Sequence, residues 1–151
     1  MSEFKPRFAG YDAKVRSSFD RQPAMKSLGV SIASVTPGRV ELVMPFNADF
    51  TQQHGFLHAG IVSTVLDSAC GYAAFSLMEE EAAVLTVEYK ANFLAPADGE
   101  AFRFCAEVVK PGRTITVVNG TAYAIKDGVE KAASTMTGTM MSIIGRSGVS
   151  Q

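Results

Sequence analysis

Asp67 is the one charged side chain in a long apolar run. From Ala59 to Met78 no other residue is charged. A carboxylate in such company must be paired, hydrogen-bonded or neutralised, and acids held in apolar clefts are enriched at active sites. The plainer alternative is that Asp67 bonds a neighbouring hydroxyl or loop amide and only fixes geometry. Directly before the run stands Gln52-Gln53-His54-Gly55-Phe56-Leu57-His58-Ala59-Gly60. If the run is helical, His58-Ala59-Gly60 forms its N-terminus, where unpaired N–H groups and the positive dipole end favour an anion.

The elements that hold these groups follow from pattern. Twenty residues is too long for one strand, and the run does not alternate, so it reads as a helix. At helical spacing Gly60, Ser63, Thr64, Asp67, Cys70, Gly71 and Ala74 share one side, and Ile61, Val62, Val65, Ala69, Tyr72 and Ala73 the other. Neither face suits water, so the helix is expected to be buried on both sides. The large side chains would pack on a sheet, and the small face would let a second backbone or a ligand approach Asp67.

Around this helix the chain is strand-rich. Residues 10 to 27 read as a short amphipathic helix broken near Pro23. Leu28 to Val35 and Val40 to Met44 read as a hairpin turning at Pro37-Gly38. Glu79-Glu80-Glu81 would oppose the macrodipole and is placed just outside the helix. Val84 to Phe93, Ala101 to Val109, Thr114 to Ile125 and Lys131 to Ile144 follow as strands, with turns at Pro96-Ala97-Asp98-Gly99, Lys110-Pro111-Gly112-Arg113 and Lys126-Asp127-Gly128. Hairpins throughout imply an antiparallel sheet. The expected architecture is an α+β fold in which that sheet wraps around the helix. One domain over residues 1–151 is expected, with a mobile tail from Gly145 to Gln151.

Composition narrows the classes. Apolar residues make up 47% and charged residues 19% of the 151, which suits a globular chain that buries more than average, as subunit contacts would allow. A net charge of −1 gives no basic field for nucleic acid. Cys70 and Cys105 lack metal-ligand spacing or a secreted framework, so free thiols in a cytoplasmic protein are expected, with no metal. The start of the chain lacks the apolar core of a signal peptide. Asp67 and the serines and threonines of the central run argue against a membrane span.

Three motifs in order carry a family resemblance. Gly55-Phe56-Leu57-His58-Ala59-Gly60, with Asp67 nine positions after His58, resembles the helix motif of hotdog-fold acyl-CoA thioesterases of the PaaI-like group. Thr86 to Ala97 is similar to that group's second signature, and Lys110-Pro111-Gly112-Arg113-Thr114 to its third. Together they cover roughly Leu28 to Ile144. The chain departs from the group in having Gln52 where Asn is usual, and Ala59-Gly60 where Gly-Gly is usual. Gln keeps the amide with one methylene more, and Ala keeps the backbone N–H while adding a Cβ.

The resemblance implies acyl-CoA hydrolysis without a cofactor, coenzyme A entering as part of the substrate. The Ala59 or Gly60 amide would donate to the oxyanion. Asp67 would act as base toward water, or as nucleophile. Gln52 would hold the water or the thioester, His58 would support the loop, and Thr86 would assist Asp67. Each of the last two has a structural reading, as a loop hydrogen-bonder and a strand threonine. His54 reads as a loop residue. Lys90, Lys110, Gly112, Arg113 and Thr114 are candidates for the coenzyme A phosphates. Ala59 and Asp67 are eight residues apart, about 12 Å along a helix. One carbonyl cannot touch both from one chain. The expected active unit is therefore a homodimer, or a dimer of dimers, with helices running antiparallel across a two-fold axis. Two rivals stand beside this reading: a hydratase or dehydratase on the same fold, and a non-catalytic acyl-CoA-binding protein.

Overall fold

The structure is a computed structural model and describes residues 3–151. Helix α1 (Tyr11–Asp20) buries Val15 and Phe19, and a second helix, α2 (Pro23–Leu28), begins at Pro23. Proline is pre-organised for a first helical turn, so it starts a new helix here. Gly29, at φ +71°, closes α2 in the left-handed region. The first strand, β1 (Ser31–Thr36), consequently starts three residues later than the apolar pattern from Leu28 predicts.

Strands β2 (Arg39–Pro45), β3 (Ala83–Phe93), β4 (Ala101–Lys110), β5 (Ile115–Lys126) and β6 (Val129–Ile143) complete one six-stranded sheet. Its order is β1-β2-β4-β5-β6-β3 and every pairing is antiparallel. The central helix α3 (Ala59–Phe75) connects β2 to β3 and packs against β2, β3, β4, β5 and β6. It thus carries the chain to the far side of the sheet, where β3 becomes an edge.

The helix ends earlier than the apolar run. Ser76 turns its Oγ back to the Ala73 carbonyl (2.7 Å) and accepts from the Gly38 N–H (2.8 Å). Leu77 and Met78 then bond three residues back, in a tightened last turn. Glu79-Glu80-Glu81 lies outside it.

Burial of α3 differs from the expectation at one place. Val65, Leu66, Ala69, Ala73, Ala74 and Phe75 are sealed against the sheet, but Gly60 and Thr64 are exposed and Asp67 is half-exposed. The small face is thus open along its first two turns. An ideal Cβ on Gly71 would meet nothing within 4 Å, so the opening continues past Asp67.

Where α3 meets β5, Gly120 lets the helix sit close. A Cβ there would meet Leu66 Cδ1 at 2.8 Å and Cys70 Sγ at 2.9 Å. No helix among the described residues is long and apolar enough to cross a membrane. Both Leu66 and Cys70 are fully buried and have no room to withdraw. Gly120→Val is therefore expected to destabilise the fold by about 1–3 kcal/mol, the usual cost of overpacking, read as a lower urea midpoint. An unchanged midpoint would show that α3 is not seated on Gly120.

Candidate active site

Two separate clefts hold the candidate residues. The first, of about 490 Å³, is lined by Gln52, Phe56, Ala59, Val62, Phe93 and Leu94, with Ala95 to Ala97 and Ala133 beyond. The second, of about 110 Å³, is lined by Asp67, Ser68, Gly71 and Tyr72 of α3, Val84 and Thr86 of β3, and Gln22 and Gln151. Neither of these two clefts contains both Ala59 and Asp67.

Local chemistry sets the donors of the first cleft. His58 is the N-cap of α3, and its Nδ1 accepts from the Gly60 N–H (2.8 Å). The Gly60 amide is therefore engaged, and the imidazole must leave Nδ1 unprotonated to engage it. Nothing among the described residues accepts from the Ala59 N–H. Of the two amides predicted from sequence, Ala59 is the open one. Gln52 turns its side-chain carbonyl to the His54 N–H, and its backbone bonds Gly55 and Phe56 across the tight turn where Gly55 takes φ +86°. That fixes Gln52 at the rim and leaves its amide NH₂ to donate. His54 stays exposed on the loop beside Gln53.

In the second cleft Thr86 Oγ1 donates to Asp67 Oδ1 at 2.8 Å. Burial pushes the Asp67 carboxyl above its ordinary 3.8, and the Thr86 hydrogen bond offsets part of that rise. A bulge positions Thr86. On β3, Thr86 pairs with Met140 and Glu88 with Thr139, so Val87 has no partner on β6. The extra residue turns Thr86, Tyr89, Ala91 and Phe93 to the helix side and Glu88, Lys90 and Asn92 to the outer side. Cys70, one turn beyond Asp67, is no rival nucleophile, because burial pushes its thiol up to about 12.

The predicted phosphate-binding residues divide. Gly112, Arg113 and Thr114 follow Lys110 in the turn between β4 and β5, with Arg113 and Thr114 exposed. Glycine is required at 112, since a Cβ would lie 2.0 Å from the Ile115 carbonyl oxygen. Thr116, Met140 and Thr86 form one rung across β5, β6 and β3, so Thr116 lies roughly 10 Å from Thr86. The turn is therefore at the Asp67 end of the sheet. Lys90 stands apart on the outer side of β3, bonded to Asn92 (3.1 Å). Among the described residues no carboxylate pairs with Lys90, Lys110 or Arg113, and no cluster of His, Cys, Asp and Glu has the make-up of a metal site.

Sequence reasoning did not find the walls of the two clefts. Phe93 to Ala97 fall inside a motif whose role the spacing could not give. Gln22, Tyr72, Gln151 and Ala133 come to the clefts only through tertiary packing.

A profile of the thioesterase superfamily matches residues 54–131, a stretch that holds α3, Asp67, Thr86 and the Arg113 turn. The chain belongs to the thioesterase superfamily. It is similar to a crystal structure of a thioesterase family protein from Silicibacter pomeroyi, with 70% identity and a TM-score of 0.89 over 90% of this chain and all of that one. The PaaI protein of E. coli superposes with a TM-score of 0.79 at 20% identity, over 88% of this chain and 93% of that one; the shared fold is the hotdog. Human acyl-coenzyme A thioesterase 13 is 29% identical over 87 residues, 57% of this chain and 61% of that protein, so the match spans less than two thirds of that relative. The sequence expectation of a hotdog thioesterase and thioester hydrolase thus holds.

The geometry of this thioesterase makes the Asp67 titration informative. Thr86→Val removes the donor at nearly constant shape, so the carboxyl should rise further, followed by the side-chain ¹³C shift during NMR titration. A fall on losing Thr86 would contradict the hydrogen bond. The stability consequence has a definite sign. Because folded Asp67 holds its proton more tightly than the unfolded chain, its contribution is most favourable below pH 3.8 and declines as pH rises through the folded value. Asp67→Asn should remove that decline, so the variant gains stability at neutral pH relative to wild type and loses the gain in acid.

Proposed function

We propose that this thioesterase hydrolyses acyl-CoA thioesters at two equivalent sites, each built from two copies of the chain. The observation that supports this reading is the division of the site. The open Ala59 amide and Gln52 lie in one cleft, the Asp67–Thr86 pair lies in another, and both border the same exposed edge strand. That strand carries apolar side chains in water, including Val87 at 53% and Phe93 at 54% exposure. An unpaired, apolar edge is a pairing surface unless something covers it.

Antiparallel pairing of β3 with β3 of a second copy would lay the Phe93 end of one strand against the Thr86 end of the other. Phe93 borders the Ala59 cleft and Thr86 holds Asp67. The same pairing therefore covers the edge and brings the donor of one chain to the acid of the other. Hydrolysis would then proceed in this order. The thioester carbonyl accepts from the Ala59 N–H, helped by the positive end of α3. Gln52 orients the thioester from the rim. Asp67 of the second copy takes a proton as water attacks the carbonyl carbon. The tetrahedral intermediate collapses, the carbon–sulfur bond breaks, and Asp67 returns the proton to the leaving thiolate. His58 acts by holding the first turn of α3 in place, and Thr86 by fixing the carboxylate.

The Arg113 turn is the proposed seat of the coenzyme A phosphates, because it combines a cation without a carboxylate partner with a turn only glycine can make. The name of the human relative, an acyl-coenzyme A thioesterase, supports the same substrate class.

The test is release of free thiol from a panel of acyl-CoAs. Turnover of at least one member is expected, and binding without turnover would favour a sensor instead. Asp67→Asn is expected to lower kcat by roughly 10²-fold or more at unchanged oligomer size, the scale of general-base catalysis. Arg113→Ala should mainly raise KM. Wild-type kcat in Asp67→Asn would make Asp67 a structural acid.

A further inference from the structure

One wall of the larger cleft, which Ala59 also lines, is built by an irregularity in β6. Ser134 pairs with Ala122 and Ala132 with Tyr123, so Ala133 has no partner on β5. In a regular strand, neighbouring side chains point to opposite faces. Here Ala133 and Ser134 are consecutive and both buried. The bulge is what turns Ala133 inward.

Its backbone is held from two sides. The Ala133 carbonyl accepts from the Leu94 N–H (2.9 Å) and the Ala95 N–H (3.3 Å), while Ser134 Oγ donates to the Asn92 carbonyl (3.0 Å). The strand cannot easily withdraw, so a side chain larger than methyl at 133 must grow into the cleft. Phe56, Leu57, Val62, Phe93 and Leu94 supply the large apolar side chains of the lining, and no charged side chain lines this space. A charged acyl terminus would lose hydration there without a partner.

We infer that Ala133, displaced inward by the β6 bulge, is a specificity-determining residue that sets how large an uncharged, apolar acyl group the cleft accepts. This rests on the acyl-CoA reading above, in which the acyl carbonyl sits at the Ala59 N–H, and it adds that the acyl group occupies the cleft that Ala59 lines. Leucine at 133 takes up cleft volume that a longer acyl group needs, and glycine releases a methyl's worth. Ala132 is the internal control. It shares the outer face with Glu130, which pairs with Arg103, and it does not line the cleft.

The experiment measures kcat/KM for octanoyl-CoA and propionyl-CoA with wild type, Ala133→Leu, Ala133→Gly and Ala132→Leu. The octanoyl-to-propionyl ratio should fall about tenfold or more in Ala133→Leu, rise in Ala133→Gly and stay at the wild-type value in Ala132→Leu. A merely structural residue would lower both substrates together and leave the ratio unmoved, which would overturn the proposal. So would an equal shift of the ratio in Ala132→Leu. If Ala133→Leu does not fold, Ala133→Gly decides alone, and an unmoved ratio there is the refuting result. If wild type turns over neither substrate nor any other acyl-CoA of the panel, the hydrolase reading falls. The same ratio taken from dissociation constants then decides the role of Ala133, and absence of binding overturns both.

Discussion

One rigid helix carries an open amide at its first residue and a half-buried acid two turns later, and its pitch keeps them about 12 Å apart. Everything else about the site answers to that spacing. Because α3 is sealed into the sheet from Val65 onward, it cannot bend to bring its own Asp67 to its own Ala59. The sheet instead presents β3 as an apolar edge running between the Ala59 cleft and the Asp67 cleft. The separation, the exposed edge and the open face of Gly60 and Thr64 are consequences of the same placement of the helix.

Electrostatics within each half is tuned locally. His58 takes the second amide of α3 and leaves the first, so the helix N-terminus keeps one open donor of defined direction. Thr86 restrains the rise that burial imposes on Asp67. Both are short-range devices, each within a single hydrogen bond of the group it serves. The bulge at Val87 makes the second one possible, since it lets Thr86 face the helix while Glu88 and Lys90 face out.

Much of this was legible in the sequence, for identifiable reasons. A single acid in a twenty-residue apolar run announces the helix and the face that carries Asp67, and glycine turns between alternating segments announce an antiparallel sheet. Gly55-Phe56-Leu57-His58-Ala59-Gly60 located the helix start. What stayed hidden depends on tertiary pairing. Strand order places β3 at an edge, and no local pattern encodes that. Leu28 continues the apolar strand pattern in sequence, whereas in the structure it closes α2 before the left-handed Gly29. The bulges at Val87 and Ala133 each concern one residue and leave no compositional trace, yet they aim Thr86 and shape the cleft wall. The choice between the Ala59 and Gly60 amides needed the His58 rotamer.

The central claim, that each site takes its donor from one copy and its acid from another, can be tested by mixing two defective chains. Ala59→Pro removes the open N–H at a helix position that tolerates proline, and His58 already has the extended backbone that a following proline requires. Asp67→Asn removes the base. Each variant alone should be nearly inactive. Co-expressed, they form mixed dimers in which one of the two sites combines an intact Ala59 amide with an intact Asp67, so roughly a quarter of wild-type activity per chain should return. Activity of the mixture no greater than the average of the two variants, with mixed dimers demonstrably present, would contradict a shared site.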